Sequence, residues 1–140
     1  MKKLLLSVLM PALLAVGVIA KDNYEKKVAQ NGEILKLMKE ELSKGIPKKI
    51  DPYTTLVAVD VEGLTLVSTY EINTGVKSDE SVRKNDMPRM RNAIINGECK
   101  RSKIHFENGM GIEYRYKNAN TKKDIFSIKI KLKECEKFYL

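Results

Sequence analysis

Histidine and cysteine are nearly missing from this chain: its 140 residues include one His, His105, and two Cys, Cys99 and Cys135. A metal centre built from His and Cys needs three or four ligands, so that class of site has no ligand set here. Cys99 as nucleophile with His105 as base would need a thiolate, and pairing of the two cysteines removes it. Gly-x-Ser-x-Gly, a Gly-rich phosphate loop and His-Glu-x-x-His are absent, so no motif with a known mechanism is present. Carboxylate pairs remain. Glu40 and Glu41 are neighbours on a helical stretch and point in different directions, while Asp60 and Glu62 sit beside a Glu62-Gly63 turn; both pairs read as solvated surface. Met38, Met87, Met90 and Met110 read as core gap-fillers. The expectation is a protein that is not an enzyme and takes no cofactor and no metal.

What the chain does have begins at its first residues. Lys2 and Lys3 precede an uncharged, mostly apolar run from Leu4 to Ala20, followed by polar Lys21-Asp22-Asn23. That layout, with small residues at Val18 and Ala20, predicts a secretory signal peptide over 1–20 and a mature start at Lys21; an uncleaved membrane anchor is the competing reading. Residues 21–140 then form a single domain, with no transmembrane segment after cleavage. Its location is expected to be the periplasm, where an even cysteine count reads as a Cys99–Cys135 disulfide. The full chain carries 26 basic and 18 acidic residues; losing the two leader lysines leaves 24 against 18, or +6. Such an excess favours acidic partners, and export removes nucleic acid from the candidates.

Along the mature chain, Val28, Leu35, Met38 and Leu42 recur at helical spacing, widened by Ile34 and Leu37, and predict an amphipathic helix over 24–42. Gly32 marks a candidate break in it, and Gly45 with Pro47 ends it. Alternating β-branched and apolar residues on either side of Glu62-Gly63 predict a hairpin over 54–72, closed by Asn73-Thr74-Gly75. Residues 76–86 read as a loop. A second helix is expected from Asp86 as its cap, with Pro88 in its first turn, stopping at Asn96-Gly97. His105 is expected near a sheet edge between Ile104 and Phe106.

The clearest pattern is Ile112, Tyr114 and Tyr116 alternating with Glu113, Arg115 and Lys117, followed by Phe126, Ile128, Ile130 and Leu132 alternating with Ser127, Lys129, Lys131 and Lys133. These runs predict a second hairpin with one buried and one wet face. The resulting expectation is an α+β fold in which a four-stranded antiparallel sheet, two hairpins, packs on two helices in the order α-β-β-α-β-β, with one disulfide. Arg115, Lys117, Lys129, Lys131 and Lys133 would then share one side as a candidate anion-binding face, offset by Glu113 alone. Edge-protecting lysines are the alternative reading of the same residues.

Gly45-Ile46-Pro47, Asp51, Thr54-Thr55-Leu56, Leu66 to Tyr70, Cys99, Gly109 to Tyr116 and Cys135 form a pattern that resembles the small exported proteins related to the beta-type pilotins of type II secretion systems. The resemblance spans most of residues 35–135. It implies an α+β fold with the two matching cysteines joined, and a non-catalytic chaperone that binds a short segment of an outer-membrane secretin. One family residue is missing: the pilotins begin with a lipidated Cys, whereas here Ala20 is followed by Lys21, so the lipoprotein sorting route is not implied. The expected function is an exported binding protein, a pilotin-like chaperone or adaptor whose partner is another envelope or secreted protein. The alternative is a module for anionic lipid headgroups or polysaccharide that uses the basic sheet face.

Overall fold

The computed structural model describes residues 11–139, with side chains from Lys21 onward. Lys2, Lys3 and the first part of the expected leader lie outside the described residues. Helix α1 runs from Pro11 to Leu42 without a break at Gly32. Among the described residues no helix is long and apolar enough to cross a membrane. Gly45, at φ +76°, turns the chain out of the helix, and Ile46–Pro47 is a cis peptide.

Among the described residues the sheet has five strands rather than four. A short β1 (Lys48–Lys49) precedes β2 (Thr54–Glu62) and β3 (Thr65–Ile72), and β4 (Gly111–Asn118) and β5 (Asp124–Ile130) follow, in the spatial order β1-β2-β3-β4-β5. Both expected hairpins are present, the first turning at Gly63 with φ +59°. They meet in parallel, however: β4 lies beside β3 in the register Leu66↔Ile112 and Tyr70↔Tyr116, so the sheet is mixed, not antiparallel. A parallel neighbour requires a long crossover, and residues 73–110 supply one.

That crossover is mostly helix. Ser78 caps α2 (Asp79–Ser81), its Oγ accepting from the Ser81 amide at 3.1 Å, with Asp79 and Glu80 in the first turn. A π-helical stretch, Val82–Asp86, continues it into α3 (Met87–Arg101). The helix therefore starts at Asp79 rather than Asp86, and Asp86 makes no capping bond. It also runs past Asn96-Gly97, because Ile95, Glu98 and Cys99 are all buried against the sheet and hold the final turns in place. His105 lies on α4 (Lys103–Glu107), not on a sheet edge. After Ile130 the chain leaves the sheet: Glu134 Oε2 accepts from the Lys131 amide at 2.8 Å while the Glu134 amide donates back to the Lys131 carbonyl at 3.1 Å. This reciprocal cap starts α5 (Leu132–Tyr139), so Leu132 and Lys133 are helical, not the end of a strand. Among the described residues four helical bodies result, not two: α1, the α2–α3 rod, α4 and α5.

Strand parity assigns the faces. Leu56, Val59, Leu66, Tyr70, Ile112, Tyr116, Ile128 and Ile130 point to one side, where all the helices lie. Leu35 of α1 packs on Leu56, Val59, Leu66 and Met110, while Ile95, Cys99, Phe106 and Cys135 pack on Ile112, Tyr116, Ile128 and Ile130. Tyr70 touches both clusters. Its ring stacks on Tyr116 at 5.3 Å, and Tyr116 stacks on Phe126 at 4.7 Å, which ties β3, β4 and β5 together. Cys99 and Cys135 are joined by a disulfide, with Cα atoms 5.3 Å apart.

The opposite face is not simply wet. Val67 is only 1% exposed and Glu113 only 5%. Arg115 covers this region, donating to Glu113 at 3.0 and 3.2 Å and to Glu62 at 2.9 and 2.7 Å.

A pH prediction follows from the tyrosines. Burial raises the hydroxyl pKa of Tyr70, Tyr114 and Tyr116 above the ordinary value of 10, and for Tyr114 an acceptor, Glu98, adds to it. A raised folded-state pKa means the contribution to stability is complete below about pH 10 and is lost as pH climbs above it. Tyr116→Phe is expected to make that alkaline loss shallower by about 1 kcal/mol per pH unit. Denaturant titrations between pH 8 and pH 11 give the two slopes; coincident slopes would show that Tyr116 ionises in the fold as readily as in the unfolded chain.

Candidate functional site

Three stretches, residues 51–54, 72–77 and 82–90, converge where β2 begins and β3 ends. In the loop before β2, Asp51 Oδ1 accepts from the Tyr53 and Thr54 amides, both at 2.8 Å. These amides, Tyr53 first, hold the Asp51 carboxyl below the usual range, although it is exposed. Asn73 donates its amide to the Tyr53 carbonyl at 2.8 Å and accepts from the Gly75 amide at 3.0 Å, where Gly75 sits at φ +58°. The two loops are thereby stapled to each other. The third side is the rod of α2, the π-helical stretch and α3, which presents Val82, Asp86, Arg89 and Met90.

Between them lies a cleft of about 590 Å³. Pro52, Tyr53, Ile72, Val82 and Met90 make its walls mainly apolar. Its mouth is charged: Lys77 Nζ donates to both Asp86 oxygens, at 3.2 and 2.9 Å, and Arg89 Nη2 stands 3.9 Å from the same carboxylate. Tyr53 and Val76 are large apolar side chains left in solvent here. An apolar concavity with a few fixed polar groups suits an inserted side chain from another molecule. The sequence shows the Asp51 and Asn73-Thr74-Gly75 turns as turns, but nothing local reports that they face α3.

The residues expected to form a basic face are distributed differently. Arg115 and Lys129 share the outer sheet face, Lys129 standing opposite Glu113 in register. The Arg115 guanidinium is engaged by two carboxylates, Glu62 and then Glu113, and its pKa is pushed up further by them. Arg115 in turn holds Glu62 below the usual carboxylate range. Lys117 Nζ is 3.7 Å from Asp124, Lys131 caps α5 through its amide, and Lys133 is on α5 itself. Glu62 therefore joins Glu113 in offsetting the cations, an acid on another strand that the β4–β5 alternation could not reveal.

A buried carboxylate was also illegible in sequence. Glu98 on α3 accepts from Tyr114 at 2.6 Å and Ser102 at 2.9 Å and pairs with Arg101. Both carboxylate oxygens are engaged, which marks it as a brace between α3 and β4. His105 Nδ1 is buried without a hydrogen-bond partner.

No protein-family model matches the chain, and no curated protein does. Solved structures do. A candidate secreted protein of Pseudomonas aeruginosa matches with TM-score 0.68 at 18% identity, over 78% of this chain and 96% of that one. EpsS, the pilotin of the Vibrio vulnificus type 2 secretion system, matches with TM-score 0.64 at 12% identity, over 79% and 96%. AspS, the type II secretion system pilotin of Vibrio cholerae, matches with TM-score 0.59 at 16% identity, over 79% and 97%. At these identities the shared property is the fold, and it is the α+β, pilotin-like fold that the sequence pattern resembles.

Proposed function

We propose that this chain is an exported, non-catalytic binding protein of the periplasm, a pilotin-like adaptor or chaperone that holds a segment of another envelope or secretion-system protein. The observation that carries the proposal is the apolar cleft beside Tyr53, Ile72 and Met90, fixed by hydrogen-bonded loops on two sides and a helix on the third. The fold shared with two pilotins supports it. The leader pattern supports export, with cleavage after Ala20. Helix-in-groove insertion, or insertion of a single anchoring side chain, fits such a surface.

A photo-activatable phenylalanine analogue at Tyr53, introduced in intact cells, is expected to crosslink an envelope protein, whereas the same probe at Lys129 on the opposite sheet face is not. Crosslinks from Lys129 alone would overturn the placement in the cleft. The purified protein is expected to begin at Lys21; a retained leader would favour the anchored alternative. Anion binding at the sheet face is the weaker proposal: Arg115 is engaged by two carboxylates, Lys117 faces Asp124, and Lys131 and Lys133 lie beyond the end of β5, which leaves Lys129 to carry it.

A further inference from the structure

The α3 helix that runs on from the cleft is mostly cationic. α3 carries Arg89, Arg91, Lys100 and Arg101 against a single carboxylate, Glu98, which is 5% exposed and engaged by Tyr114, Ser102 and Arg101. The cleft lining itself is balanced, Asp51 and Asp86 against Lys77 and Arg89. Asp51 serves the Tyr53 and Thr54 amides, and Asp86 is shared by Lys77 and Arg89. Arg89 nevertheless keeps 84% of its side chain in solvent, and among the described residues neither Arg91 nor Lys100 is in an ion pair. On α3, Arg89, Asn92, Asn96 and Lys100 are spaced three and four apart and form one exposed stripe, about 16 Å long, with Glu134 and Lys137 of α5 beside Asn92 and Asn96.

We infer that the segment held in the cleft is an acidic protein segment: an apolar side chain enters between Tyr53, Ile72 and Met90, and Asp or Glu residues beside it lie along α3 against Arg89 and Lys100. This rests on the reading of the cleft as the partner site. Charge complementarity selects the occupant. A basic segment would meet the exposed Arg89 and the cations Arg91 and Lys100, which have no ion-pair partner among the described residues, and a neutral one would leave them unused. An anionic bilayer would be drawn to the same stripe, but a flat surface has no use for an apolar recess beside it. The individual ion pairs are exposed and each weak, so charge acts chiefly on selectivity and salt dependence.

Random 12-residue peptides displayed on phage and selected on the full chain test this. Recovered peptides are expected to carry an apolar residue flanked by Asp or Glu, to lose about 10-fold in affinity between low and high salt, and to lose about as much on Arg89→Glu with Lys100→Glu. Tyr53→Ala is expected to abolish their binding, with circular dichroism confirming that both variants fold. Neutral or basic peptides that need Tyr53 but ignore the charge reversals would overturn this inference and leave the cleft reading standing. Acidic peptides indifferent to Tyr53→Ala would overturn both. Phosphatidylglycerol vesicles that bind through Arg89 and Lys100, when no acidic peptide is recovered, would overturn it in favour of a membrane surface.

Discussion

Replacing Cys99 and Cys135 together by Ser is expected to lower the unfolding free energy by about 3 to 4 kcal/mol, the cost of freeing a loop closed across a separation of 36 residues. For a domain of this size that corresponds to a fall in Tm on the order of 10–15 °C. Geometry decides where the loss is felt first. The bond joins α3 to α5 at the centre of a cluster containing Ile95, Phe106, Ile112 and Ile130, and both cysteines are fully buried. The other ties of α5 are few: the Glu134 cap on Lys131 and the Tyr139 hydroxyl, which donates to the Cys99 carbonyl at 2.6 Å. Amide exchange in α5 should therefore accelerate more than exchange in β3 and β4. A midpoint shift worth less than about 1 kcal/mol would mean that the unfolded chain is already held compact without the crosslink.

How the chain announces its fold depends on whether the signal is local. The turn at Glu62-Gly63 and the alternation of Ile112 to Tyr116 lie within one hairpin each, and both hairpins were legible. The parallel join between them was not, because Leu66 and Ile112 are brought into register by a crossover of nearly forty residues. Leu132 and Lys133 continue the period-two pattern of β5, and only the Glu134 cap on Lys131 shows that the chain has left the sheet. Ser78-Asp79-Glu80 is a helix start that the sparse apolar residues of 76–86 obscured. Glu113 reads as a wet residue by alternation and is buried beneath Arg115, which also reaches Glu62 on β2. The cleft is the extreme case: its turn residues are visible one by one, while its existence depends on the loop before β2 meeting the segment that runs from the end of β3 into α3.

Leu35→Ala is expected to destabilise by about 2 to 5 kcal/mol, whereas Leu37→Ala, two residues away and 62% exposed, should change stability by less than about 0.5 kcal/mol. Leu35, 2% exposed, is the residue through which α1 enters the second cluster, against Leu56, Val59, Leu66 and Met110. Its neighbours Ile34 and Met38 are only partly buried, and the nearby polar ties are Asn31 Nδ2 donating to the Asn108 carbonyl at 2.8 Å and an exposed Lys39–Asp60 pair at 3.3 Å. Truncation leaves a cavity under a helix with little else to hold it, so α1 and the facing side of β2 should lose hydrogen-exchange protection first. The disulfide cluster should remain protected; a uniform loss would show that the two clusters unfold as one unit. The cleft provides a functional reading of the same experiment. Ile72 and Met90 belong with the disulfide cluster rather than with Leu35, so a segment bound between Tyr53, Ile72 and Met90 should stay bound at temperatures where α1 has loosened. Loss of binding in step with α1 would instead place that helix in the recognition surface.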